Sequence, residues 1–279
     1  MLKAYISVDL EGMPFIVSID HLLIGKPLYE EARRIATDIV LTAAETLHNH
    51  GFDEILIADS HGPMVNLRVE ELPEYVELIR GFPRPTSMIV DIGQTDVAVF
   101  LGYHAKSATP HAIFDHTYSG SLINRLKINE VEVSEYLLNA YFAGHYNVPV
   151  ILVAGDEKLM EDVSQFTPWT EKVIFKKSYS RYSARSKNLK VIKKTLRESL
   201  VKAVNKFKNK ETKPLKVKNP VSVEVEFKSS GYADIAELLP GATRVDGLTV
   251  KLISKDIVEA YRVFELLVFA CAGVKSMFK

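Results

Sequence analysis

Stretches of β-type apolar residues alternate with amphipathic helical stretches along the first 160 or so residues of the chain. Strands are predicted at residues 5–8, 54–58, 96–102 and 149–154. Strands that are apolar on both faces are typical of a parallel sheet buried between layers of helices. The pattern therefore predicts an α/β fold with a parallel-sheet core and helices on both faces.

Two later segments depart from this alternation. Residues 122–133 predict an inserted β-hairpin that turns at Asn129 and Glu130, followed by a helix at 134–144. Residues 212–220 contain Pro214 and Pro220 without periodicity, which favours a linker. A strand at 221–227, a helix at 233–239, a strand at 248–253 and a helix at 257–274 follow it. We therefore expect an α/β catalytic domain at 1–211 and a smaller C-terminal α+β unit at 212–279.

Charge and composition restrict the function classes. The 35 basic and 35 acidic residues give a formal net charge of zero, so no global field favours nucleic acid or a membrane. Residues 176–218 carry an excess of Lys and Arg, but their apolar stripe predicts a surface helix with a solvated basic face. A nucleic-acid surface is the alternative for this segment.

The single cysteine and the N-terminal segment indicate which metal ligands the chain offers and in which compartment it is expected. Cys271 lies in an apolar run and is expected to pack, so neither a disulfide nor a thiolate zinc site is predicted. The charged pair Asp9 and Glu11 follows only a short apolar stretch, which does not suit a signal peptide or a membrane span. We expect a cytoplasmic protein.

Acidic and imidazole side chains follow three of the predicted strands. Asp9 and Glu11 come after the first strand, Asp59 and His61 after the second, and His104 after the strand at 96–102. The carboxyl ends of parallel strands are where ligands bind in such sheets. Residues two apart on an extended chain point the same way, so Asp9 and Glu11 are expected to face one point.

Clustered carboxylates repel each other, and a bound cation is their natural compensation. Carboxylate and imidazole ligands suit zinc and, less selectively, manganese or cobalt. A metal pair would support hydrolysis. Asp59 could instead cap a turn, and each histidine could instead form a structural hydrogen bond. Ser60 is disfavoured as a nucleophile paired with His61, because adjacent residues on a strand face opposite ways.

Five ordered strings resemble the zinc-dependent D-aminopeptidase family, the DppA-like metallopeptidases: SVDLEG, ADSHG, LGYHA, SEYLLNAYFAG and VPVILVAGDE. The resemblance implies a metal-ligand set of Asp9, Glu11, His61, His104 and Glu135. It also implies that Asp9 bridges two metals and that His116 is catalytic. From the residues alone, Glu135 could equally be a first-turn acid behind the cap Ser134, and His111 rivals His116.

The same resemblance implies an activity and an assembly. The expected enzyme is a metallo-aminopeptidase that hydrolyses short peptides or amides with an N-terminal D-residue, typically D-alanine. Two zinc ions per subunit and a ring-like homo-oligomer, such as a decamer, are implied. From the balanced charge, we expect neither nucleic acid nor a membrane as a partner. Another binuclear amidohydrolase or esterase, or a non-catalytic binding protein, is the alternative. The string EGMPF replaces a more glycine-rich loop of the family and bears on substrate preference.

Overall fold

Two β-sheets organise the chain, and the computed structural model describes residues 1–277 of it. The strands are β1 Lys3–Val8, β2 Glu54–Asp59, β3 Val76–Ile79, β4 Val97–Tyr103, β5 Ile123–Ile128, β6 Val131–Glu132, β7 Val150–Asp156, β8 Glu171–Ser180, β9 Ser183–Arg185, β10 Val221–Phe227, β11 Thr243–Arg244 and β12 Thr249–Ser254. The helices are α1 Tyr29–Asn49, α2 Glu135–His145, α3 Leu159–Phe166, α4 Leu189–Lys208, α5 Ser230–Ala236 and α6 Ile257–Met277.

The first sheet has the strand order β3-β2-β1-β4-β7-β8-β9, and all of its pairings are parallel except that of β8 with β9. α1 and α4 pack on one face, and α2 and α3 pack on the other. β1 shows why both faces are covered, because Ile6 belongs to the core beneath α1 and Tyr5 to the core on the opposite face. The predicted α/β class with helices on both faces is confirmed.

The predicted hairpin forms and joins a second sheet. Asn129 and Glu130 have φ values of 47° and 69°, the positive angles that a tight hairpin turn requires. β5 pairs antiparallel with β10, so the second sheet has the order β11-β12-β10-β5-β6. A hairpin from within residues 1–211 thus shares a sheet with strands beyond residue 220. The domain boundary at 211/212 stays a prediction.

Several elements differ from the predicted ones. α5 begins at Ser230 instead of 233, because the Ser229 side chain accepts a hydrogen bond from the Gly231 N–H and starts the helix early. The first residues of the basic segment 176–218 lie in β8, and the basic helix itself is α4. β3, α3, β8, β9 and β11 were not predicted, since they are short or carry polar residues among the apolar ones.

The C-terminal helix α6 is apolar on most of its surface and packs against α2 and α5. Cys271 is buried on it, as predicted. Within residues 1–277, no helix combines the length and the hydropathy needed to cross a bilayer.

Glycines let the ends of β1, β4 and β7 approach each other closely. Gly102 has a φ of 76°, and a Cβ there would lie 1.9 Å from the carbonyl oxygen of Asp9. A Cβ at Gly155 would lie 1.9 Å from the carbonyl oxygen of Tyr103. The Asp9 N–H donates to the Leu101 carbonyl over 2.8 Å, so the chain after β1 stays against the end of β4. This close approach brings Asp9 next to His104.

Candidate metal centre

The carboxyl edge of the first sheet gathers every site residue that the sequence and the resemblance indicated. Asp9 and Glu11 follow β1, His61 follows β2, and His104 follows β4 directly. Glu135 is the first residue of α2, and His116 lies in the loop between β4 and β5. All six side chains are buried or nearly so.

The ligating atoms form two groups, and within each group they lie within 4.8 Å of one another. The groups are Asp9, Glu11 and His61, and His104, His116 and Glu135. Asp9 connects them, since its Oδ1 is 3.3 Å from His61 Nδ1 and its Oδ2 is 3.5 Å from His104 Nε2. One carboxylate therefore faces both groups.

The other carboxylates each serve one group. Glu11 Oε2 lies 2.8 Å from His61 Nδ1. Glu135 Oε2 lies 3.6 Å from His104 Nε2, and its Oε1 lies 3.4 Å from His116 Nε2. The Tyr118 N–H donates to Glu135 Oε1 over 2.6 Å and fixes that oxygen. Ser134 caps α2 through the Leu137 N–H, so the predicted cap is present beside the acid.

Each imidazole is oriented by a backbone carbonyl. The contacts are His61 Nε2 with Leu22 O at 3.0 Å, His104 Nδ1 with Ala105 O at 2.9 Å, and His116 Nδ1 with Phe114 O at 2.8 Å. A carbonyl only accepts, so the ring nitrogen facing it carries the hydrogen. In the neutral ring the other nitrogen then directs a lone pair at the carboxylates, which is how metal-binding histidines are held.

Two buried atoms at the centre indicate that a metal fits there. Among residues 1–277, Asp9 Oδ2 and His104 Nε2 are buried and lack a hydrogen-bond partner. They lie 3.5 Å apart. Two ligands at about 2.0–2.1 Å from one tetrahedral zinc lie about 3.4 Å from each other. The donor set of carboxylate oxygens and imidazole nitrogens also suits zinc.

The carboxylates stabilise positive charge at this point. Burial would lower the pKa of His104, but Glu135 beside it raises that pKa to about 10. Burial likewise opposes the charge on His61, yet Glu11 and Asp9 hold its pKa well above the usual value. Burial raises the pKa of Asp9, and the neighbouring Glu11 raises it further. A cation, whether a proton on imidazole or a metal ion, is favoured here.

His116 differs from the other two histidines. Burial and the nearby His104 lower its pKa. Its ring stacks on the His104 ring, with centroids 4.3 Å apart and planes inclined by 15°. It also lines the cavity that opens beside the centre. A neutral imidazole in such a place can accept and return a proton.

Asp59 and His111, which the sequence left as alternatives, and Asp156 lie outside the two groups. Asp59 instead accepts hydrogen bonds from the backbone of Asn66 and Leu67, so the turn-capping alternative applies to it. Asp156, at the end of β7, accepts a hydrogen bond through its Oδ1 from Ser178 Oγ over 2.6 Å. His111 is exposed.

Comparison with known proteins gives the family context of this centre. The model of a family described as D-aminopeptidase matches residues 2–266. The chain belongs to the D-aminopeptidase family. A curated D-aminopeptidase from Bacillus subtilis (strain 168) is 34% identical over 264 residues, which is 94% of each chain. These matches confirm the predicted resemblance.

A solved structure similar to this D-aminopeptidase family member is described as the Zn-dependent D-aminopeptidase DppA from Bacillus subtilis, a self-compartmentalizing protease. The TM-score is 0.92 at 32% identity, over 97% of this chain and 98% of the other. The predicted enzyme class, a metallopeptidase, is confirmed with the fold.

A buried chain of hydrogen bonds runs beneath the centre of this D-aminopeptidase family member, and the sequence did not indicate it. Its members, in order of contact, are Ser60, Ser7, Tyr103, Asn139, Tyr261 and Tyr118. The Tyr103 hydroxyl is 2.8 Å from Ser7 Oγ and accepts from Asn139 Nδ2 over 2.9 Å. Each member except Tyr261 lies within four residues of a site residue along the chain. The hydrogen-bond chain thus connects the elements that carry the centre.

A cavity of about 310 Å³ opens beside the centre. Its lining includes Asp9, Glu11, His61, His116 and Glu135, so five of the six site residues face it. The rest of the lining comes from the loops after β2 and β3, from the segment before β5 and from α6. The cavity is where a substrate can reach the centre.

Proposed function

We propose that this chain is a zinc-dependent aminopeptidase that hydrolyses short peptides or amides with an N-terminal D-residue of the D-alanine type. The observation that carries the proposal is Asp9, whose two carboxylate oxygens face two separate groups of ligating side chains. Family membership supports the D-residue, and the zinc dependence of the similar structure supports the metal.

The proposed centre holds two zinc ions per subunit. Asp9, Glu11 and His61 would hold one ion, and Asp9, His104 and Glu135 would hold the other. Asp9 is the shared ligand. The oxygen and nitrogen donors would also accept manganese or cobalt, which prefer similar ligands.

When bound, a zinc pair supplies Lewis-acid polarisation of the scissile carbonyl and lowers the pKa of a water molecule towards neutrality. His116 is the proposed proton carrier. His116 lines the cavity, and its Nδ1–H donates to the Phe114 carbonyl. Nε2 is therefore the nitrogen that is available for proton transfer. His116 Nε2 accepts the proton of the attacking water and returns it to the nitrogen of the leaving amine.

The proposal includes a cytoplasmic homo-oligomer, with a ring-like decamer as its form. The description of the similar structure as a self-compartmentalizing protease supports an assembly of this kind. Multi-angle light scattering of the purified protein tests it, with the mass of ten chains expected and the monomer mass contradicting it. Nucleic acid is not among the proposed partners, because Lys193 and Lys206 on α4 pair with Asp38 and Glu171.

Hydrolysis of matched D- and L-alanine amides by metal-free and zinc-loaded protein tests the activity. We expect the zinc-loaded protein to release ammonia from D-alaninamide much faster than from L-alaninamide, and the metal-free protein to be inactive. The His116→Ala variant should bind zinc normally and lose turnover. Equal rates on both enantiomers, or hydrolysis confined to other amides or esters, would contradict the proposal.

A further inference from the structure

The hairpin formed by β8 and β9 extends past the first sheet to the loop that carries His116. Residues 171–176 of β8 pair with β7, and residues 177–180 continue beyond the end of β7 and pair with β9. Because β8 runs parallel to β7, its far end lies at the carboxyl edge, where the metal centre is. The turn residues Arg181 and Tyr182 are therefore close to the His116 loop.

Phe114, two residues before His116, has a strained backbone. Its φ of 44° lies in the left-handed region, which residues other than glycine rarely adopt. The Phe114 carbonyl accepts the hydrogen bond of His116 Nδ1 over 2.8 Å. A residue keeps such a conformation only where its surroundings impose it. The contacts that hold Phe114 therefore also hold the hydrogen-bond partner of His116.

The β8–β9 hairpin contacts Phe114 at its backbone and at its ring. The Phe114 N–H donates to the Arg181 carbonyl over 3.1 Å. The Tyr182 ring meets the Phe114 ring edge to face, with centroids 5.8 Å apart. Lys176 Nζ lies over the Phe114 ring at 5.8 Å from its centroid and donates to the Ile16 carbonyl over 2.5 Å. Phe114 itself is only 2% exposed, so the hairpin and the core together fix it.

The side chain of Arg181 holds Asp115, the residue directly before His116. Arg181 Nη1 donates to the Asp115 carbonyl over 2.6 Å and also to Asp115 Oδ1. The other carboxylate oxygen of Asp115 accepts from the Ala108 N–H over 2.8 Å. Hydrogen bonds between charged groups are stronger than those between neutral ones. Asp115 is thus fixed between the hairpin and the earlier part of its own loop.

On its other side, His116 is followed by a second fixed point. Tyr118 has a φ of 67°, and its N–H donates to Glu135 Oε1, which lies 3.4 Å from His116 Nε2. The metal centre holds this point, whereas the hairpin holds the point before the histidine. A carbonyl only accepts, so the contact with Phe114 keeps the hydrogen on Nδ1 and leaves Nε2 without one. Loss of that contact would free the ring to turn and to exchange its tautomer.

We propose that Arg181 is a positioning residue that fixes the orientation and the tautomer of His116 by holding Phe114 and Asp115. This inference rests on the proposed function, in which His116 Nε2 carries the proton. The basic segment 176–218 thereby gains a role at its beginning, because Lys176 and Arg181 both support the His116 loop.

Steady-state kinetics of zinc-loaded Arg181→Ala on D-alaninamide test the role of the side chain. We expect kcat to fall by about 10- to 100-fold while KM and the zinc content stay close to those of the parent protein, because a misplaced proton carrier loses rate and not binding. Arg185→Ala is the matched control, since Arg185 is exposed on β9 of the same hairpin. An unchanged kcat in Arg181→Ala, or an equal loss in Arg185→Ala, would overturn the proposal.

Chemical rescue distinguishes positioning from a general loss of stability. The Arg181 side chain is 41% exposed, so a dissolved methylguanidinium ion can reach the space that Arg181→Ala leaves. We expect this ion to restore part of the kcat of Arg181→Ala and to leave His116→Ala inactive. Restoration of both variants, or of neither, would contradict the positioning role.

Asp115→Ala removes the same contact from the loop side. It should lower kcat about as much as Arg181→Ala does, and the double variant should lose no more than either single variant, because all three lack one shared interaction. Fully additive losses would show that the two side chains act independently and would refute the proposal. This cycle tests the contact even if one of the single variants folds poorly.

Crystal structures of the zinc-loaded parent protein and of Arg181→Ala separate this inference from the proposed function. In the variant we expect Phe114 to leave the left-handed region and the His116 ring to lose its hydrogen bond to the Phe114 carbonyl. A protein that hydrolyses no amide but shows this change refutes the proposed function and retains the positioning of His116. An active protein in which neither the His116 ring nor kcat changes in Arg181→Ala refutes the positioning role alone.

Discussion

Asp9 Oδ2 and His104 Nε2 lie 3.5 Å apart, buried and without a hydrogen-bond partner within residues 1–277. Unpartnered buried polar atoms are rare in proteins and call for a physical reason. The metal ion of the proposed centre would supply one. The other oxygen of Asp9 faces His61 over 3.3 Å, so the same carboxylate can serve a second ion.

The close approach of β1 and β4 should depend on Gly102. In Gly102→Ala, the new Cβ meets the Asp9 carbonyl at 1.9 Å, and the φ of 76° is strained as well. We expect a loss of stability well above about 1–2 kcal/mol, the usual cost of the left-handed conformation alone, together with weaker zinc binding. Urea unfolding and metal analysis measure the two effects.

Gly25→Ala is the matched control for this substitution. Gly25 has a φ of 80°, but a Cβ there meets nothing within 4 Å. Its variant should lose only about 1–2 kcal/mol and keep its zinc. Equal losses of stability in the two variants would contradict the account of how the strands converge.

The buried hydrogen-bond chain should position the proposed metal ligands. Tyr103→Phe removes the hydroxyl that contacts Ser7 and Asn139 and leaves the ring in place. We expect a loss of about 1–3 kcal/mol in stability and a zinc affinity about 10-fold lower, measured by competition with a chelator. Tyr141→Phe is the control, since Tyr141 is a buried tyrosine of α2 outside the hydrogen-bond chain. Unchanged zinc affinity in Tyr103→Phe would rule out a positioning role.

Glu265 should make stability depend on pH. Its carboxyl is buried, its Oε1 has no hydrogen-bond partner among the described residues, and burial raises its pKa from 4.5 to about 7. Because the folded pKa exceeds the unfolded one, stability falls as the pH rises from 4.5 to about 7, and the charged carboxylate exerts its full destabilising effect above that range. This destabilisation disappears as the pH falls towards 4.5.

The variant Glu265→Gln carries no charge at any of these pH values. It should therefore be more stable than the parent protein by about 2 kcal/mol at pH 8 and nearly equal to it at pH 5. Urea unfolding at the two pH values measures the difference. If the variant and the parent protein differ in stability by the same amount at both pH values, the fold does not disfavour the charged Glu265 carboxylate.

The sequence predicted the parts of the site that follow from strand periodicity. Asp9, Glu11, His61 and His104 stand directly after buried strands, and parallel strands bring their carboxyl ends to one edge. Local pattern alone could not distinguish Asp59 from a metal ligand, because its role depends on how the following loop folds back to offer the Asn66 and Leu67 N–H groups.

Other features depend on tertiary packing that no local pattern encodes. Glu135 reaches the centre only because α2 packs on the sheet, and its assignment required the family resemblance. The cavity wall from α6 comes from more than 130 residues later in the chain than Glu135. The strand β8 carries lysines at several positions, including the buried Lys176, and these obscured its pattern.

Zinc stoichiometry of the parent protein and of two matched variants tests the central claim, that Asp9 joins two metal sites. Titration of metal-free protein should show two tightly bound zinc ions per chain in the parent and in the control Glu31→Gln, whose carboxylate is exposed in the first turn of α1. Glu135→Gln should keep one ion, while Asp9→Asn should weaken both. A parent protein that binds a single ion, or an Asp9→Asn variant that keeps two, would contradict the account.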